Sequence, residues 1–219
     1  LCIINPMTLL VTVLFTRALL DNMLASSRLN LGAFSTGVGG MINLAVILFG
    51  VGLLIGKPRA YERLASKVPW MLFLLICAAG IVQSPVKGEA VKFWLNLVTY
   101  AVIFTMPFVL IENIKDLKFW VKLLVASSVL PLLSACVDLA RGGQYFADAG
   151  VRIAGTFSHP NILAFYIVFV IALIFFLMKS GLFDLSPFQK FICLVYMAAL
   201  LVILLATKTR SAWIACWIF

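Results

Sequence analysis

Long apolar runs separated by short polar segments make up almost the whole chain. An α-helix needs about 20 apolar residues to cross a bilayer, and seven of the runs approach that length. We predict spans at Ile3–Leu20, Val38–Ile55, Val68–Gln83, Phe93–Ile111, Phe119–Leu139, Asn161–Met178 and Phe191–Ala206. An eighth run begins at Ala212 and continues to the last residue. The pattern therefore predicts an all-α fold, a polytopic transmembrane helical bundle with about seven complete spans plus the start of an eighth.

Composition supports a membrane protein. Of 219 residues, 64% are hydrophobic and 11% are charged, whereas soluble domains carry about 25% charged residues. No segment is long and polar enough to fold as a separate aqueous domain, so we treat residues 1–219 as a single integral membrane domain. Because the chain opens at Leu1 and stops within an apolar run, we expect it to be part of a longer protein, without the later loop and spans.

Within the second predicted span, Gly52 and Gly56 are four residues apart. This spacing places both glycines on one helix face, where it can mark close packing of helices.

The basic residues indicate how the chain is oriented. The net charge of +9 suits loops that attract anionic membrane lipids, and its scatter over loops on both sides excludes nucleic acid as a partner. Basic residues are densest in the loops after even-numbered spans, which predicts that these loops and the N-terminus are cytoplasmic. The segments Ala140–Pro160 and Thr207–Arg210 then lie together on the outer side.

Two arginines in these outer segments are candidate ligands for phosphate. Arg152 and Arg210 keep their charge at any relevant pH, and a guanidinium matches two phosphate oxygens at once. Together they could hold a lipid-linked pyrophosphate at the membrane surface. The alternative is that each arginine only extends from a helix end to the lipid headgroups.

The segment around Arg152 also contains the single histidine of the chain, His159. Next to Pro160 at a helix start, His159 could be a cap or a surface residue, or else a general base or a donor to phosphate. Thr156 and Asn161 could cap the helix or bind sugar hydroxyls.

Several other chemistries lack the residues they need. No Asp-x-Asp pair, nucleotide-binding glycine loop or His/Cys ligand cluster occurs in the sequence, so we predict neither a metal nor a cofactor. The five cysteines lie in apolar runs and are interpreted as packing residues. No predicted span has a charge at its centre, which argues against an ion-coupled transporter.

Two motifs resemble the signatures of the O-antigen ligase and O-antigen polymerase superfamily. The first is Arg152-x-x-Gly155-Thr156-Phe157-x-His159-Pro160-Asn161, which is similar to an Arg-x-x-Gly-x-Phe-x-x-Pro-Asn stretch before a membrane helix. The second is Thr207-x-Thr209-Arg210-Ser211-Ala212-Trp213, in which Thr209 replaces the more usual serine. One hairpin of predicted spans separates the two motifs, as in the family.

The resemblance implies a metal-independent glycosyltransferase of the bacterial inner membrane. Such enzymes take a glycan from undecaprenyl pyrophosphate at the periplasmic face and pass it to the lipid A core, a second repeat unit or a protein. In this chain it implies that Arg152 and Arg210 neutralise the diphosphate during catalysis. Substrate-binding roles are expected for Gly155, Thr156, His159, Asn161 and Ser211. The general-base role of the family's histidine is not assigned to His159, which occupies a variable motif position.

Two other functions remain open at this point. Pro107 and Pro131 interrupt predicted spans, as in transporters or flippases for lipid-linked or amphipathic solutes. A truncated, inactive family member is the second alternative.

Overall fold

The computed structural model describes residues 11–13, 15–16, 29–31, 34–36, 38–57, 64, 66–147 and 150–218. The predicted first span, Ile3–Leu20, lies outside these residues except for two short helical stretches at 11–13 and 15–16. Part of the basic segment after the second span also lies outside them, including Arg59 and Arg63.

Eight helices and four short strands make up the described part of the chain. The helices are α1 (Val38–Gly56), α2 (Lys67–Gln83), α3 (Lys87–Leu110), α4 (Ile114–Ser127), α5 (Val129–Ala140), α6 (Pro160–Lys179), α7 (Pro187–Ala206) and α8 (Arg210–Trp217). The strands are β1 (Leu29–Leu31), β2 (Phe34–Thr36), β3 (Gln144–Phe146) and β4 (Gly150–Arg152).

Five segments are long and apolar enough to cross a membrane, which indicates a multi-pass membrane protein. They are Gly39–Gly56, Lys87–Leu110, Ile114–Ala140, Pro160–Lys179 and Pro187–Ala206, while α2 is apolar but shorter. The prediction of a mostly helical multi-pass chain is therefore confirmed. The predicted count of seven complete spans is not reached among the described residues.

Three helices start at least four residues earlier than their hydrophobic pattern predicted, and one of them is α4, which begins at Ile114 instead of Phe119. Helix α3 begins at Lys87 instead of Phe93, and α7 begins at Pro187 instead of Phe191. At α7 the cause is a capping box, in which Ser186 and Gln189 each bind the backbone of the other and Pro187 fills the first helical position. Polar capping residues extend a helix beyond its apolar run, so hydropathy alone places such a start too late.

The chain divides into two compact units, and the first comprises the β1–β2 hairpin and helices α1 to α3. Helix α3 packs against both α1 and α2. Asn43 of α1 donates a 2.6 Å hydrogen bond to Asn96 of α3. The close approach of these helices occurs at Gly50, where a Cβ would overlap the Val102 side chain.

The glycine pair singled out in the sequence does not make this contact. Among the residues that the structure describes, a Cβ at Gly52 or at Gly56 would meet no heavy atom within 4 Å. Within the described part of the chain, the spacing of Gly52 and Gly56 therefore does not mark a packing contact.

The second unit contains helices α4 to α8 and the β3–β4 hairpin. Helix α6 lies at the centre of its core, with Leu163, Ile167, Val170 and Ile174 almost completely buried. Their spacing of four, three and four residues keeps them on one face of the helix. Leu200 and Ile203 of α7 and Ala212 of α8 complete this core.

Helices α4 and α5 form one apolar segment with a break at Ser128. Pro131 lies in the first turn of α5, and a proline has no N–H with which to continue the hydrogen bonds of α4. Serine hydroxyls donate hydrogen bonds to backbone carbonyl oxygens at the break. Ser127 donates to the carbonyl of Leu124, and Ser128 donates to that of Val125. The sequence predicted one span here, Phe119–Leu139, interrupted by Pro131.

The loop predicted at Ala140–Pro160 contains the hairpin of β3 and β4. The two strands are antiparallel, with Gln144 opposite Arg152 and Phe146 opposite Gly150. Gly142 and Gly143 turn the chain from α5 into β3 with φ of 85° and 90°, values that few side chains tolerate. This hairpin and that of β1 and β2 are the departures from an all-α fold.

Candidate functional site

The site begins at the tight corner between α7 and α8. Thr207 is fully buried and donates through Oγ1 to the carbonyl of Leu204 at 2.7 Å. The indole of Trp213 donates to the same carbonyl at 3.0 Å. Between them Lys208 adopts the left-handed conformation, with φ of 56°. The corner reverses the chain within three residues, so that Arg210 is the first residue of α8.

The β3–β4 hairpin places Arg152 at the same site. Arg152 ends β4, and the chain then turns at Gly155, which has φ of 60°. A Cβ at Gly155 would lie 3.1 Å from the carbonyl oxygen of Pro131 and 3.3 Å from the backbone nitrogen of Ala135. This position requires glycine for two reasons, its backbone angle and its contact with α5.

One hydrogen bond joins the predicted motifs, and a second joins the corner to the residue before Arg152. Thr209 Oγ1 donates to Asn161 Oδ1 at 3.1 Å, which connects the first turn of α6 with the residue that precedes α8. Lys208 Nζ donates to the carbonyl oxygen of Val151 at 3.3 Å, which connects the corner with β4. Residues far apart in sequence are thereby fixed around a shared space.

That space is an open cavity of about 560 Å³. Its volume falls in the range of about 300–1,000 Å³ that is typical of small-molecule sites. It is lined by Arg152, Asn161, Lys208, Thr209, Arg210, Ser211 and Trp213. Three of these residues are cations and none is an acid, so the cavity is strongly positive.

The start of α8 adds to the positive potential. The first N–H groups of a helix have no partner within the helix, and they carry the positive end of its dipole. Thr209 precedes the helix, but its side chain makes no capping hydrogen bond, and its hydroxyl is directed to Asn161 instead. The amides of Arg210 and Ser211 therefore add hydrogen-bond donors to the cationic side chains, which suits a phosphate group.

The charge of the two arginines is not neutralised within the part of the chain that the structure describes. Ion pairs there join Lys57 to Glu112 and Lys92 to Glu89, all in the first unit. The Nε of Arg152 is buried and has no hydrogen-bond partner among the described residues. A buried N–H without a partner is costly.

Four of the seven predicted site residues line the cavity, and three do not. Arg152, Arg210, Asn161 and Ser211 are in the lining. Gly155, Thr156 and His159 are absent from it among the described residues. Gly155 is buried in the turn that follows β4, and the substrate-binding roles expected of these three residues stay predictions.

His159 has a structural role in helix α6. It is the N-cap of the helix, and its Nδ1 accepts a 3.2 Å hydrogen bond from the Asn161 amide. The imidazole also lies against the ring of Phe146 in β3, with 5.8 Å between ring centroids. The capping alternative is therefore confirmed. Pro160 occupies the first helical position, as predicted.

Sequence reasoning missed two residues of this region. Lys208, the third cation of the cavity, occupies an unspecified position of the second motif, so the motif gave no signal for it. Asp138 is buried near the end of α5 and accepts hydrogen bonds from Gly155 and Gln144. An acidic residue near the end of the apolar run Phe119–Leu139 was the available signal.

The lining carries cations and neutral donors, which can bind an anion. Across the described residues, no three His, Cys, Asp or Glu side chains come together as ligands for a metal ion. No family model matches the chain, and comparisons with curated proteins and with solved structures give no match either. The functional assignment therefore depends on the motif residues and on the geometry that they adopt.

Proposed function

We propose that the chain is a membrane glycosyltransferase of the O-antigen ligase and polymerase type, and that its cationic cavity binds the diphosphate of a polyprenyl-linked glycan. One observation carries the proposal. The arginines of the two resembling motifs, Arg152 and Arg210, line the same cavity although one lies before α6 and the other after α7. Independent snorkelling at separate helix ends does not require the two arginines to share a cavity.

The chemistry of such a transfer explains why cations are needed. The bond between the anomeric carbon and the diphosphate oxygen breaks, and a hydroxyl oxygen of the acceptor forms the new bond to that carbon. The acceptor proton passes to a base, and the diphosphate leaves with the bonding electrons. Negative charge on the diphosphate grows as the bond breaks, so fixed positive groups stabilise the transition state more than the bound substrate.

The residues of the cavity have different roles in binding the diphosphate. Arg152 and Arg210 bind the phosphate oxygens through their forked donors, and Lys208 supplies a third charge. Asn161 and Ser211 provide neutral groups beside them. Trp213 suits the boundary between lipid and water, where the diphosphate of a polyprenyl lipid lies. We place this side of the membrane in the periplasm of a bacterial inner membrane, with the N-terminus in the cytoplasm.

Glycan transfer in cells tests the proposal. The gene is replaced by versions that encode Arg152→Ala, Arg210→Ala or Arg141→Ala, and the surface glycan is measured together with the amount of protein in the membrane. Arg141 is exposed at the end of α5 and does not line the cavity, so it is the matched control. Both cavity variants should abolish transfer at normal protein levels, while Arg141→Ala should retain it. Normal surface glycan in both cavity variants would refute the proposal.

A second candidate is a transporter of a lipid-linked glycan. The observation in its favour is the break between α4 and α5 at Ser128, because transporters often bind substrate where a membrane helix is interrupted. Purified protein in vesicles that moves a fluorescent polyprenyl diphosphate across the bilayer, without transfer to any acceptor, would favour this function over the first.

A further inference from the structure

Asp138 is an acidic side chain in an unfavourable position. It lies in the last turn of α5 and is only 8% exposed. The carbonyl end of a helix repels negative charge, and burial removes the water that would stabilise a carboxylate. A carboxylate is retained in such a place only where hydrogen-bond donors compensate for both effects.

Both compensating donors reach the same carboxylate oxygen. Gln144 Nε2 and the backbone amide of Gly155 each donate to Asp138 Oδ2 at 2.8 Å. Gln144 is the residue opposite Arg152 in the β3–β4 pairing, and Gly155 follows Arg152 by three residues. The oxygen therefore joins the residue opposite Arg152 in β3 to the turn that follows β4.

We infer that Asp138 is a positioning residue for Arg152 in the diphosphate site. This inference rests on the proposed function. Asp138 makes no ion pair with Arg152 in the described part of the chain, and its carboxylate binds neutral N–H groups instead. The guanidinium is thus held in place without losing its charge to a neighbouring acid. A direct ion pair would place Arg152 equally well but would weaken its attraction for an anion.

Asp138→Asn and Asp138→Ala separate the need for an acceptor from the need for a charge. The amide oxygen of asparagine can accept both hydrogen bonds, whereas alanine leaves Gln144 and the Gly155 amide without an acceptor. Hydrogen exchange of residues 150–155 is measured by mass spectrometry on the whole protein in nanodiscs. It reports whether Asp138 holds this segment, and it needs no ligand. Exchange should accelerate about tenfold or more in Asp138→Ala and remain close to wild type in Asp138→Asn. Unchanged exchange in Asp138→Ala would show that Asp138 does not hold this segment.

Binding of undecaprenyl diphosphate in nanodiscs tests the consequence for Arg152. Asp138→Ala should weaken binding about tenfold, and Asp138→Asn should remain within about threefold. The loss should vanish when Asp138→Ala is added to Arg152→Gln, because the group that it positions is gone. It should persist in full when added to Arg210→Gln.

The two measurements separate failure of the inference from failure of the proposed function. An equal loss in the Arg152→Gln and Arg210→Gln backgrounds would show that Asp138 supports the fold in general, and it would overturn the inference. If the wild-type protein does not bind the lipid, the proposed function fails. In that case the exchange data still decide whether Asp138 holds the strand of Arg152.

Discussion

The hydroxyl of Thr209 donates a 3.1 Å hydrogen bond to the side-chain oxygen of Asn161, 48 residues earlier in the chain. Each residue belongs to one of the two polar motifs, and both line the cationic cavity. Thr209 is almost completely buried, at 5% exposure, whereas Asn161 is exposed. The bond therefore fixes the start of α6 relative to the start of α8, and with it the two halves of the site.

Thr209→Val should lower stability by about 1 kcal/mol, because it removes the hydroxyl while keeping the shape of the side chain. Thr209→Ser keeps the hydroxyl and should stay within about 0.5 kcal/mol of the wild type. Thermal unfolding of the purified protein in detergent measures both. Equal stability of the valine and serine variants would show that the bond contributes nothing.

Gly155→Ala should be among the most damaging small substitutions in the second unit. The left-handed backbone and the 3.1 Å approach to Pro131 both penalise a Cβ, and together they should cost about 2–4 kcal/mol. Gly181→Ala is the matched control, since Gly181 has a similar φ of 67° but open space around it. Its cost should be about 1–2 kcal/mol. Equal destabilisation by both substitutions would contradict the close contact between Gly155 and α5.

Lys208→Asn should weaken undecaprenyl diphosphate binding about tenfold, because it removes one of three cations from the cavity. Asparagine tolerates the left-handed backbone of this position, so the cost in stability should be that of the lost bond to Val151, about 0.5–1.5 kcal/mol. Lys208→Arg keeps the charge and should bind the lipid nearly as well as the wild type. Affinity measured across a salt series should depend less on salt in the asparagine variant. Unchanged affinity in Lys208→Asn would remove Lys208 from the site.

The general fold was predictable because long apolar runs have one common outcome in a membrane. Five of the predicted spans correspond to long apolar segments, and the shorter run Val68–Gln83 also forms a helix. The exact ends of the helices and the short strands were harder to predict. Ser186 and Gln189 form a capping box that lies outside the apolar run, and the three-residue strands β3 and β4 are too short for alternation to show.

The sequence predicted those residues of the site that belong to the two motifs. Arg152 and Arg210 were expected on one side of the membrane, and they line the same cavity. Lys208 and Asp138 were missed because their roles depend on tertiary contacts. Lys208 reaches the hairpin through a left-handed corner, and Asp138 meets Gly155 only once the chain has folded back on α5. The glycine spacing misled because the contact depends on which face of α1 meets α3.

Tyr196→Phe should destabilise the second unit by about 0.5–1.5 kcal/mol, because it removes a hydrogen bond at the break between α4 and α5. Ser128 Oγ donates its proton to Val125, so the Tyr196 hydroxyl must donate the 2.7 Å bond to Ser128. Tyr145→Phe, at a side chain that is 77% exposed, is the matched control and should have little effect. Unfolding in a denaturing detergent measures both variants. Equal stability of the two would show that the bond between Tyr196 and Ser128 does not contribute to stability.

The most direct measurement is the affinity of the whole chain in nanodiscs for undecaprenyl diphosphate, compared among Arg152→Gln, Arg210→Gln and Arg141→Gln. Arg152→Gln and Arg210→Gln should each weaken binding about tenfold or more, because each substitution removes a charged pair of hydrogen-bond donors. Arg141→Gln, equal in charge change but outside the cavity, should remain within about twofold of the wild type. Equal affinities of all three variants and the wild type would contradict a diphosphate site between Arg152 and Arg210.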